Sequence, residues 1–96
     1  MTCYILAEIQ IDDPGRYADY ESGFLTILRA YEGQVIAVDE ARTLLEGQAF
    51  GHRTVILKFA SEVAALNWYD SEAYQKLMTH RQAASQANVS IIHGLD

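Results

Sequence analysis

The apolar residues change their period at Pro14, and that switch limits the fold more than any other feature of the chain. Before it, Cys3, Ile5, Ala7, Ile9 and Ile11 alternate with Tyr4, Leu6, Glu8 and Gln10. Alternation of this kind specifies a strand with two unlike faces. After it, Tyr17, Tyr20, Phe24, Ile27, Leu28 and Tyr31 recur three or four apart, which is one face of a helix. Asp13 suits the N-cap and Pro14 the first helical position. Arg16, Asp19, Ser22, Thr26 and Arg29 turn largely away from the apolar face. Gly23 costs such a helix about 1 kcal/mol relative to alanine, so close packing is expected there. Gly33 reads as the helix stop.

The rest of the chain repeats the theme. Residues 34–39 predict a second strand. Residues 40–52 are less regular; Thr43 to Glu46 reads as a strand extension, with Gly47 and Gly51 as turn formers. Arg53 to Ala60 is the clearest strand, with Val55, Leu57 and Phe59 on one side and Thr54, Ile56 and Lys58 on the other. Ser61 caps a helix that runs through Trp68 and Tyr69. Asp70–Ser71–Glu72 breaks and restarts it, and Tyr74, Leu77, Met78 and Arg81 follow at helical spacing. Residues 89–93 form a last short strand. The order is β-α-β-β-α-β, the split βαβ arrangement. The expectation is one α+β domain over residues 1–96, ferredoxin-like, with an antiparallel sheet and both helices on one of its faces.

The uncovered face would carry Tyr4, Leu6, Ile36, Val38, Ile56 and Ile92. A sheet face turned to water is normally polar, so this one calls for a cover. The simplest cover is the same face of a second copy, which gives a two-fold homodimer.

Composition excludes several partners. Thirteen acidic residues against seven basic ones leave a net charge of −6. The basic residues are scattered, so neither nucleic acid nor an anionic membrane is an expected partner. No apolar run approaches the ~20 residues of a membrane span. The N-terminal MTCYILAEIQ has no signal-peptide pattern, and Cys3 is the only cysteine. A reduced, cytoplasmic setting fits these features.

Residues 59–75, FASEVAALNWYDSEAYQ, resemble a bacterial family known as domain of unknown function 1330. Phe59, Ser61, Ala64, Ala65, Trp68, Tyr69, Ser71, Tyr74, Gln75 and Arg81 carry the resemblance, and Trp-Tyr-x-Ser-x-x-Tyr-Gln is its most specific stretch. Tyr4, Asp13, Tyr17, Tyr20, Gly33, Glu46, Gly47 and Arg53 extend it over nearly the whole chain. Ala60 stands where proline is usual, and the segment Glu32 to Glu40 lacks the usual Gly-Gly-Arg. The resemblance implies a dimeric α/β barrel. It implies no particular activity.

The candidate site gathers Tyr20, Glu46, Arg53, Trp68, Tyr69, Tyr74 and Arg81. Arg81 shares a helix face with Tyr74, Leu77 and Met78, which turns it inward. An inward arginine needs a partner, and two are on offer: Glu46, or the carboxylate of a bound ligand. Aromatic residues would line an apolar pocket with a few polar tips. Two readings stay open. In one, a small organic molecule occupies the pocket, with or without cofactor-independent catalysis. In the other, the same side chains fill the pocket themselves and the protein is a non-catalytic structural or interaction module. His52, His80 and His93 lack metal-ligand spacing. His80 beside Arg81 is the one histidine placed to act as a base. No cofactor motif appears: Gly47 and Gly51 alone do not make a phosphate loop.

Overall fold

A computed structural model describes residues 1–96. Strand β1 spans Cys3–Ile11, helix α1 Pro14–Ala30, β2 Gln34–Asp39, β3 Arg53–Phe59, α2 Glu62–Tyr69, α3 Glu72–Ala84 and β4 Ser85–His93. The four strands form one sheet in the order β2-β3-β1-β4, every neighbouring pair antiparallel. This is the expected α+β, ferredoxin-like arrangement, with the second helix in two pieces.

The helix ends follow from their capping residues. The Asp13 carboxylate accepts from the Arg16 amide at 3.1 Å and Pro14 takes the first turn. Between α2 and α3, the Ser71 hydroxyl donates to the Trp68 carbonyl at 2.8 Å and accepts from the Tyr74 amide at 3.1 Å. One serine thus ends one helix and starts the next. That bend turns Trp68 and Tyr74 toward each other, with ring centroids 4.0 Å apart.

The alternating face of β1 lies under the helices, where Cys3, Ile5, Ala7 and Ile9 are buried with Leu57 and Phe59 of β3. Tyr17, Tyr20 and Leu28 of α1, Ala65 and Trp68 of α2, and Tyr74, Met78 and Ala84 of α3 complete the core. The close packing expected at Gly23 is present: a Cβ there would come within 2.9 Å of a Leu77 methyl.

Four local expectations need correction. The left-handed residue after α1 is Glu32, at φ 62°, not Gly33; Gly33 is small because a Cβ would strike Leu28 and Phe59. Thr43 to Glu46 is no strand but part of an open loop. Arg42 organises that loop, donating to the carbonyls of Phe50 (2.6 Å) and Gly51 (2.9 Å) and to the Thr54 hydroxyl (2.9 Å). The last strand begins at Ser85 rather than 89, because Ser85 to Ala87 pair with Ile11 to Ile9 although their sequence is not apolar.

The fourth correction concerns Val38. The β2–β3 register shifts between Val35 and Ala37. One extra residue in a strand reverses the facing of everything beyond it. Val38 therefore pairs with Val55 on the helix side. The outer face keeps Tyr4, Leu6, Ile36, Ile56 and Ile92, and Ile36 and Ile92 are 50% and 45% exposed in the single chain.

Candidate functional site

The helix layer does not cover the sheet completely. Every residue of the edge strand β2 is exposed. Beneath the helices lies a cavity of about 390 Å³, within the size range of small-molecule sites. Fifteen of its 18 lining residues are hydrophobic, so its wall is mostly apolar. Leu25 of α1 and Val35 and Val38 of β2 are exposed lining residues and mark where it meets solvent.

Six of the seven residues singled out in the sequence line this cavity: Tyr20, Arg53, Trp68, Tyr69, Tyr74 and Arg81. Glu46 does not. It is exposed on the loop before β3 and makes no ion pair. The expected Glu46–Arg81 pair is absent: Glu46 is exposed on its loop, whereas Arg81 is buried on α3. His80 is likewise outside the cavity. It lies on the exposed side of α3, where its Nδ1 accepts from Arg16 Nε at 3.2 Å.

The polar groups fall into two sets. In the first, Arg81 is buried (7% exposed) with no carboxylate within ion-pair distance. Burial works against its charge, while the Tyr74 and Tyr20 oxygens beside it, Tyr74 also by accepting a hydrogen bond, favour the charge and hold its pKa above the ordinary value. It is therefore a cation at any physiological pH. The hydroxyls of Tyr20 and Tyr74 lie 2.7 Å apart. Burial raises the pKa of both phenols, so they stay protonated and act as hydrogen-bond donors rather than bases. Trp68 is buried, and its Nε1 hydrogen finds no acceptor.

The second set lies nearer the rim. Arg53 donates to Glu21 at 3.2 Å and to Glu40, and its guanidinium carbon is 5.3 Å from the centre of the Tyr17 ring. Both glutamates are about half exposed (53% and 52%), so water screens much of this network. Tyr17, Glu21 and Glu40 are not among the site residues expected from the sequence, although Tyr17 belongs to the apolar face of α1. Tyr17 and Glu21 had a detectable signal, since they stand one helical turn apart on the same stripe as Tyr20. Glu40 had none, because its contact with Arg53 depends on the course of the loop. No group of three or more His, Cys, Asp and Glu side chains is arranged to hold a metal ion, and no helix is long and apolar enough to cross a membrane.

Solved structures with this fold include a protein of unknown function from Rhodopseudomonas palustris, RPA0582. It is 18% identical, with a TM-score of 0.82 over 99% of this chain and 83% of its own. SnoaB, a cofactor-independent oxygenase from Streptomyces nogalater, is 12% identical, with a TM-score of 0.62 over 99% of this chain and 94% of its own. An antibiotic biosynthesis monooxygenase is 14% identical, with a TM-score of 0.62 over the whole of both chains. At these identities the likeness concerns the fold. No curated protein matches the sequence. The model of the family described as Domain of unknown function (DUF1330) matches residues 2–95, and the chain belongs to that family.

Proposed function

We propose that this protein binds a small organic molecule in the cavity between its helices and its sheet, and that it works as a homodimer joined through the outer sheet faces. The observation that carries the binding reading is the cavity itself, about 390 Å³ of mostly apolar space with the buried Arg81 in its wall. Side chains that filled their own pocket would leave no such space, since interiors pack to near-crystalline density. The homodimer draws support from the apolar outer face around Leu6, Ile36, Ile56 and Ile92, which nothing covers in the single chain.

The catalytic form of this reading is a cofactor-independent enzyme, the kind of chemistry named for SnoaB. The residues suit one part of such chemistry. Protonated tyrosines and an arginine in an apolar cavity would stabilise negative charge developing on a substrate oxygen. A reduced intracellular setting accords with the single buried thiol of Cys3.

Trp68 is the only tryptophan and lines the cavity, so its fluorescence reports occupancy directly. Screening a library of small apolar molecules by Trp68 emission and amide chemical shifts tests the binding reading. Saturable binders that shift amides of Tyr20, Trp68 and Tyr74 together are the expected result. A library that produces none would overturn it.

A further inference from the structure

Arg81 is a buried lining residue of an apolar cavity and carries a charge that no acid of the chain neutralises. We propose that the ligand is a small apolar molecule bearing one carboxylate-type anionic group, and that this group pairs with Arg81. The inference rests on the ligand-binding reading above and narrows it to a chemical class.

Counting donors and acceptors leads to that class. Arg81 offers several N–H donors and no acceptor, and the Tyr74 oxygen beside it takes only part of that capacity. The Trp68 N–H also lacks a partner, but it is buried out of a ligand's reach. Tyr20 and Tyr74 share two hydroxyl protons, and their mutual bond uses one of them, so one remains to donate. The wall around Arg81 is thus rich in donors, carries one positive charge, and has only phenol oxygens as acceptors. The one carboxylate among the lining residues, Glu21, is bonded to Arg53 at 3.2 Å.

Charge selects among ligands. A cationic ligand would face Arg81 across low-dielectric space, where like charges repel strongly. A neutral ligand would leave the guanidinium with phenol oxygens as its only partners and its charge uncancelled. A monoanion satisfies the free donors and cancels the charge, and planar carboxylates match the guanidinium fork. A doubly charged head, such as a phosphate monoester, would need a second free cation. Arg53 is already held by Glu21 and Glu40. The remaining wall is hydrophobic, so the body that follows the head is apolar.

Three nearly isosteric probes separate the cases: para-tert-butylbenzoate, para-tert-butylbenzamide and para-tert-butylbenzylammonium. Each is titrated into the full-length protein and followed by Trp68 emission and amide chemical shifts. The benzoate is expected to bind about tenfold to a hundredfold tighter than the amide, as a charged hydrogen-bonded pair warrants, and the ammonium not to bind. Arg81→Leu should erase the preference for benzoate over the amide, and Arg81→Lys should retain part of it. Amide binding equal to or tighter than benzoate overturns the anionic class but leaves the cavity reading standing. Failure of all three probes at millimolar concentration overturns both.

Discussion

The hydroxyls of Tyr20 and Tyr74 stand 2.7 Å apart, joining residues 54 positions distant in sequence and tying α1 to α3 inside the core. Their rings meet edge to face at 6.2 Å, and Trp68 packs against Tyr74 at 4.0 Å. One bond thus fixes the spacing of the two helices that roof the cavity. Because both residues are buried, removing either hydroxyl leaves the other short of a partner.

Tyr20→Phe and Tyr74→Phe are each expected to lose about 1–2 kcal/mol. The double variant should lose less than the sum, since the second removal no longer orphans anything. Urea denaturation of the four proteins measures this. Strict additivity would mean that the hydroxyl pair contributes no coupling.

The same pair sets a limit at high pH. Burial raises both tyrosine pKa values above the ordinary 10.0. Between that value and the folded pKa, the native state keeps a proton that the unfolded chain has lost. Stability is therefore fully present below pH 10 and falls as pH rises above it, by about 1.4 kcal/mol per pH unit for each such tyrosine. Denaturation curves from about pH 8 to pH 11 should fall more steeply for wild type than for Tyr20→Phe. Equal slopes would show that Tyr20 titrates normally.

How far the sequence could be read depends on how local the cause was. The period switch at Pro14 and the Ser71 break are written in adjacent residues, and both elements stand where the spacing puts them. The inward turn of Arg81 was legible from Tyr74, Leu77 and Met78 on the same face. Its lack of an acid was not, because that depends on where the loop carrying Glu46 travels. Val38 was placed on the wrong face because a bulge at Ile36 has no sequence signature beyond a run of apolar residues. Ser85 to Ala87 joined β4 through backbone pairing with β1, which period counting cannot detect.

The outer sheet face carries the next expectation. Ile56 lies on that face opposite Leu6, near the middle of the sheet. Ile56→Glu should shift the protein from dimer to monomer in sedimentation velocity at micromolar concentration, because a carboxylate there would be buried against an apolar partner. Lys76→Glu, on the exposed side of α3, is the control and should leave the assembly unchanged. A wild-type protein that sediments as a monomer would sink the dimer. An intact Ile56→Glu dimer would place the interface elsewhere.

Arg81 and Arg53 offer an opposed pair of stability predictions. Removing one member of a buried ion pair is costly because the other charge is left alone. Arg81 has no such partner, so Arg81→Leu strands no carboxylate and keeps much of the stem's packing. Tyr74 loses its contact with the guanidinium but retains its bond to Tyr20. The free protein should therefore be unchanged or stabilised by up to about 2 kcal/mol, as when buried charges give way to apolar groups. Arg53→Leu does leave Glu21 and Glu40 behind, but both are half in water, so the loss should stay near 1 kcal/mol or below. Glu46→Gln should be silent, since that side chain is exposed and unpaired. Thermal melts of the three variants are enough. A loss of about 3 kcal/mol or more in Arg81→Leu would show that the guanidinium belongs to the core's own bonding. A neutral or raised melting point would mean that the charge is kept for something the protein binds.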